Sequence, residues 1–181
     1  MAADALGLAK QRSALVHQQF LKVVDELTDE QLAWRPAPGA HSIAWTVWHI
    51  ARCADKFSAE GGGQEREIWE AEGLVRRWGL TEAMLGTNGV GTGIDDDLAA
   101  TLPPPGKAVL LDYTRRAFVA LDAMVDALDE PGMAREAVSF FFEGPAPVGR
   151  SLFASLTHEN RHLGELEYIK GLVGLRGSAT R

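Results

Sequence analysis

One cysteine, Cys53, stands in 181 residues, so no internal disulfide can form and nothing requires an oxidising compartment. No apolar run is long enough to span a bilayer. The opening MAADALGLAKQRSALVHQQF also lacks the long apolar core of a signal peptide. The expected location is the cytoplasm, with no membrane partner. Basic residues are in the minority, with 18 Lys and Arg against 25 Asp and Glu and a net charge of -7. They form no dense cluster, so no nucleic-acid partner is expected. GTNGVGTG, at 86–93, is not a phosphate loop: no Lys-Ser or Lys-Thr pair follows it and no apolar strand precedes it. Histidine is scarce as well. There are five, which gives weight to where they stand.

What is present reads as helix. The length suits one domain over residues 1–181, with a hydrophobic share of 46% that is ordinary for a globular chain. Residues 4 to 27 place Leu8, Leu15, Val16, Phe20, Val23, Val24 and Leu27 at helical spacing. His17 falls inside this first helix as a solvated or locally hydrogen-bonded residue. Thr28-Asp29-Glu30-Gln31 is a capping box opening one short turn, ended by Pro36 and Pro38. His41 lies in the stiff connector that follows, beside the cap residue Ser42, and is left out of the site.

A second helix is expected from Ile43 to Phe57, with Ile43, Val47, Ile50, Ala54 and Phe57 as its seam. Trp45, His49 and Cys53 form a row along the border of that stripe, and Cys53 reads as a small buried residue. From Ala59 to Gly106 the pattern breaks into a long irregular insertion. Short helical pieces are expected at Glu65 to Glu72, at Thr81 to Leu85 and from Asp95, before Pro103-Pro104-Pro105-Gly106 closes it. So long a connection in a compact domain usually borders a site. Trp69 and Trp78 are candidates for lining it, with packing as the plainer role.

A third helix spans Lys107 to Leu128 and is stopped by Asp129-Glu130-Pro131-Gly132. Val138 to Phe142 reads as a short extended segment. A fourth helix occupies the patterned stretch from Ser151 to Val173, and Gly171, Gly174 and Gly177 end the chain. Four long helices without convincing strands give an all-α four-helix bundle.

The chemistry concentrates in His158-Glu159-Asn160-Arg161-His162. On a helix, two histidines four residues apart project from one side, about 40° and roughly 6 Å apart, a spacing from which both can hold one metal ion. A three-histidine site is expected, with the third ligand supplied upstream; His49, at the border of the second helix's stripe, suits a ligand and a half-exposed histidine equally well. HENRH also fits the zincin signature. Its surroundings do not: the position of a further metzincin histidine is Tyr168, only 19 residues follow His162, and no sheet edge is available for a peptide. Glu159 falls on the apolar stripe, where a carboxylate is costly unless paired or placed at the site. It is the candidate catalytic residue, as a proton acceptor or as a group orienting a ligand histidine. A salt bridge to a nearby arginine is the rival role.

Taken together, Leu27-Thr28-Asp29-Glu30-Gln31-Leu32, Trp34-Arg35-Pro36, Ser42-Ile43-Ala44-Trp45, Trp48-His49-Ile50-Ala51-Arg52 and Asp55 resemble the first half of the DinB-like (YfiT-like) four-helix-bundle metalloproteins. His158-Glu159-Asn160-Arg161-His162-Leu163-Gly164-Glu165-Leu166 resembles that family's second ligand block. In the family, a histidine on helix two and a His-x-x-x-His pair on helix four hold a divalent metal, which fall here on His49, His158 and His162. Glu165 departs from the pattern, since glutamine often stands there.

The resemblance implies a metal-dependent enzyme, with zinc or nickel as the leading ions and iron also compatible. The reaction implied is a thiol-dependent S-transfer of the bacillithiol or mycothiol type onto small electrophiles, or a related transferase or hydrolase reaction. It further implies a small-molecule substrate, a low-molecular-weight thiol partner and a homodimer. The alternative is a non-catalytic metal- or ligand-binding bundle.

Overall fold

The computed structural model describes residues 4–63, 66–101 and 105–176. Pro103, Pro104, Glu65 and Gly177, which figure in the sequence reading, lie outside the described residues. Helix α1 (Ala5–Asp25) starts where the Asp4 carboxylate accepts the N–H of Leu6. The Thr28 capping box opens α2 (Asp29–Ala33), and the Gln31 side chain returns to the Thr28 N–H. Ser42 caps α3 (Ile43–Gly62) by accepting from Trp45. That helix runs past its expected end at Phe57, because Gly61 stays helical against Phe57 and Met124. Gly63, at φ 68°, then turns the chain out through the left-handed region.

The insertion holds α4 (Ile68–Ala71), α5 (Leu74–Arg77), a 3-10 turn at Glu82–Leu85 and α6 (Asp96–Thr101). Next comes α7 (Lys107–Asp126), capped not locally but by Asp29 of α2, which accepts the Lys107 N–H at 2.7 Å. Asp129 does more than stop that helix. Its carboxylate caps a further short one, α8 (Glu130–Ala134).

The extended segment expected at Val138–Phe142 is displaced. The strands are β1 (Glu136–Ala137) and β2 (Ala146–Pro147), an antiparallel pair. Between them the aromatic run turns, and the Phe141 ring packs edge-on against Phe57. The three phenylalanines are half-buried in that turn. The last helix, α9 (Val148–Leu172), takes its first N–H partner from Arg135, across the hairpin.

The four long helices α1, α3, α7 and α9 form an all-α bundle in which α3 packs on α7 and α9, and α1 packs on the same two. The expected seam of Ile43, Val47, Ile50, Ala54 and Phe57 lies in its core. The other face of α3 is buried too, since the insertion covers it. Two charged residues fasten that cover. The Asp55 carboxylate accepts the N–H groups of Ile68 and Trp69, both at 2.9 Å, and the Tyr113 hydroxyl at 2.9 Å. Arg52 donates to Glu67 at 2.6 Å and to the Gly89 carbonyl at 3.1 Å. Trp69 is buried among Trp48, Trp78 and Tyr113, so it serves packing. Among the described residues no helix is long and apolar enough to cross a membrane.

Candidate metal centre

His49 on α3 and the pair on α9 are 109 or more residues apart in sequence, yet they meet where the two helices pack. Nε2 of His158 lies 3.0 Å from Nε2 of His49 and 3.1 Å from Nε2 of His162. One ligand atom from each of the three falls within 4.8 Å of the others. Nitrogens each about 2.1 Å from a shared ion can be no more than about 4.2 Å apart; two of the three separations satisfy this, and the third lies within 4.8 Å.

The second ring nitrogens decide what those atoms carry. Nδ1 of His49 donates to the Val90 carbonyl, and Nδ1 of His162 donates to the Glu165 carboxylate. A neutral imidazole has one N–H, so Nε2 of both rings presents a lone pair to the cluster. His158 can protonate at most one of the two contacts it makes. A cation satisfies all three nitrogens, and the donor set therefore fits a divalent metal. Among the described residues, the buried Nδ1 of His158 has no hydrogen-bond partner.

Electrostatics hold the rings neutral. Burial, then the neighbouring histidines and Arg161, pushes His158 down to about 3. Burial pushes His162 to about 3 as well, helped by His49, Arg161 and His41. His49 is lowered chiefly by burial, against the opposing pull of the Val90 carbonyl. Neutral imidazole is the ligating form, so the site is ready for metal near neutral pH.

The insertion borders this cluster, as its length suggested. Consecutive carbonyls of the 86–93 loop are gripped from α3, Gly89 by Arg52 and Val90 by His49. The loop closes on itself through a bridge between Thr87 and Thr92. At Gly91, φ 91°, a Cβ would meet the Trp48 ring at 2.6 Å, so only glycine fits. The segment rejected as a phosphate loop thus orients a candidate metal ligand.

A sequence profile of the DinB superfamily matches residues 14–166. The chain belongs to the DinB superfamily. Among solved structures it is similar to a conserved protein from Enterococcus faecalis, with TM-score 0.77 and 19% identity over 95% of this chain and 98% of that one. It is also similar to a DinB-like protein from Bacillus cereus, with TM-score 0.59 and 19% identity over 90% and 88% of the two chains. No curated protein matches it.

Within this DinB bundle, Glu159 is buried one residue from His158 and is not a member of the cluster. Its Oε1 accepts from Ser155 at 2.8 Å, and its Oε2 lies 3.5 Å from Nε2 of His17. The ion-pair partner is therefore a histidine of α1, not an arginine. His17 is neither solvated nor locally bonded. It is buried, stacked on Phe118 at 4.1 Å, and its Nδ1 is 2.8 Å from Asp122 of α7. Burial alone would depress it, but the carboxylates of Asp122 and Glu159 raise it to about 9. His41 stacks on Trp45, which stacks on His49, so a residue left out of the site forms the end of its aromatic wall. Cys53 is buried 4.0 Å from the His49 ring nitrogens, and burial pushes its thiol up, away from the reactive form. The Val90 carbonyl had no side-chain signature. The i, i+3 spacing of His162 and Glu165 was the available signal for the other partner.

Proposed function

We propose that this protein is a divalent-metal-dependent enzyme that transfers a low-molecular-weight thiol to small electrophiles, or carries out a related transferase or hydrolase reaction. The observation that carries the reading is the count of ligands: the metal-competent cluster among the described residues has three members, all neutral imidazoles. Structural zinc sites usually close with four protein ligands, whereas three leave room for a reactant. Zinc and nickel suit the donor set best, and iron is compatible. An ion held there would favour the ionised, nucleophilic form of a thiol or of water.

The chain's own residues do the rest. The Val90 carbonyl and the Glu165 carboxylate orient two of the ligands. Trp45 flanks His49, and Phe141 lies 6.1 Å from the His158 ring, giving the site apolar walls. Glu159, one residue from His158, enters as a proton acceptor acting with His17 and Ser155. Cytoplasmic location and a homodimer complete the reading.

Elemental analysis of the purified protein, then a screen of the metal-loaded form with several small thiols and one chromogenic electrophile, tests it. The expected outcome is about one ion per chain and turnover with at least one thiol. A tightly bound ion with a fourth protein ligand and no turnover would instead identify a non-catalytic metal-binding bundle.

A further inference from the structure

Arg161 stands between the two histidines of α9 in sequence and at the edge of the cluster in space. Its Nη2 lies 3.3 Å from Nε2 of His162, the nitrogen whose lone pair the metal reading assigns to an ion. The side chain is 65% exposed. Its ion-pair partner is Oε1 of Glu165 at 4.0 Å, a carboxylate whose other oxygen already holds Nδ1 of His162. The guanidinium charge reaches all three imidazoles and helps to keep each of them neutral.

Three neutral imidazoles add no charge to a divalent ion, and Glu165 offsets Arg161. The immediate site would therefore carry a net charge of about +2, in a chain whose total is -7. Such a site favours an anion. Once the lone pair of His162 is taken by an ion, Arg161 also loses its acceptor there, and its planar fork of donors matches a carboxylate.

We propose that Arg161 is a specificity-determining residue that binds the carboxylate of a substrate or thiol whose other end reaches the metal cluster. This rests on the metal reading of the three histidines, and it names the substrate class: bifunctional anions. A neutral ligand of the same metal-binding type would bind without this contact.

The test uses the cobalt-loaded full chain, followed by its visible spectrum, with two matched pairs of probes. 3-Mercaptopropionate is compared with 2-mercaptoethanol, and succinate monohydroxamate with propionohydroxamate. Within each pair the metal-binding group is shared and only one member carries a carboxylate. The carboxylate member should bind roughly tenfold tighter. Arg161→Ala should abolish that preference while cobalt content and the neutral probe's Kd stay within about twofold, and Arg161→Lys should keep part of it.

Equal binding within both pairs overturns the proposal. So does a preference that survives in Arg161→Ala, because chelation or overall charge would then explain it. Cobalt-loaded protein whose spectrum none of the four probes moves also overturns it, since no ligand then reaches the ion. A silent thiol pair beside a responsive hydroxamate pair removes the thiol reading alone and leaves Arg161 judged by the hydroxamates. A protein that takes up no cobalt ends the metal reading, and the role of Arg161 with it.

Discussion

The three candidate ligands are oriented by unlike means, and substitutions nearby should therefore have unequal effects. His49 relies on a main-chain oxygen, which no side-chain change removes directly. His162 relies on a charged carboxylate, which fixes its tautomer and raises its basicity. Glu165→Gln should lower zinc affinity by roughly 10- to 100-fold, read by chelator competition, with little change in Tm because the residue is half exposed. Unchanged affinity would show that the hydrogen bond, which a glutamine oxygen also accepts, suffices and that the charge of Glu165 does not tune the site. Alanine at His158 or His162 should abolish most metal binding. Glu159→Gln should behave differently, keeping metal and fold while losing a factor of about 100 to 10,000 in turnover if the carboxylate is a base. Full turnover with a lowered Tm would instead assign it to the buried pairing with His17. At this scale, the i, i+4 pair was legible from helical geometry, and His49 from the family resemblance. The Val90 carbonyl was not legible, because every residue has one and only the folded loop selects it.

Among the elements, the insertion is the one whose role depends on a few contacts. The bundle helices were legible from their apolar periodicity to within a few residues. The insertion was legible as a break with short helical pieces, but what holds it was not, because its order comes from Arg52 and Asp55 reaching out of α3. Both look like surface charges in a linear reading, and both are buried. If the 86–93 loop holds His49 in its ligating tautomer, disturbing the loop should weaken metal binding from a distance. Gly91→Ala meets the Trp48 ring and an unfavourable φ, a conformation that costs about 1–3 kcal/mol before any clash. Its expected result is at least a tenfold loss of zinc affinity with helical circular dichroism retained. Gly79→Ala is the control, with φ 70° and open space around it: similar backbone strain, and no effect on zinc. Equal zinc affinity in all three proteins would mean that the Val90 contact does not tune the site.

The whole molecule carries a second charge arrangement, on the α1 side of the bundle, and it sets an alkaline limit on stability. His17 sits between Asp122 of α7 and Glu159 of α9, so its charge ties three of the four long helices together. Its folded value of about 9 lies above the ordinary histidine value of 6.5. The folded state therefore holds a proton that the unfolded state has lost between those two values. The resulting stability is fully present below pH 6.5 and is lost as pH rises through about 9. Between pH 6.5 and 8.5 His17 alone should cost about 2 kcal/mol in urea unfolding of the metal-free protein, partly offset by His49, His158 and His162, which are neutral in the fold but bind protons in the unfolded chain near pH 6.5. Cys53 adds to the decline only higher up, where an exposed thiol ionises in the unfolded chain but the buried one does not. His17→Gln keeps a polar group but cannot hold the charge, so its profile should rise over the same window, as the unfolded chain loses the protons of the three cluster histidines. The two proteins should then converge above pH 9, where His17 has itself lost its proton. A wild-type profile that runs parallel to that of His17→Gln from pH 6.5 to 8.5 would show that His17 is neutral in the fold. Glu159 would then lack a charged partner on α1, and the case for it as a proton acceptor near His158 would have to rest on Ser155 alone.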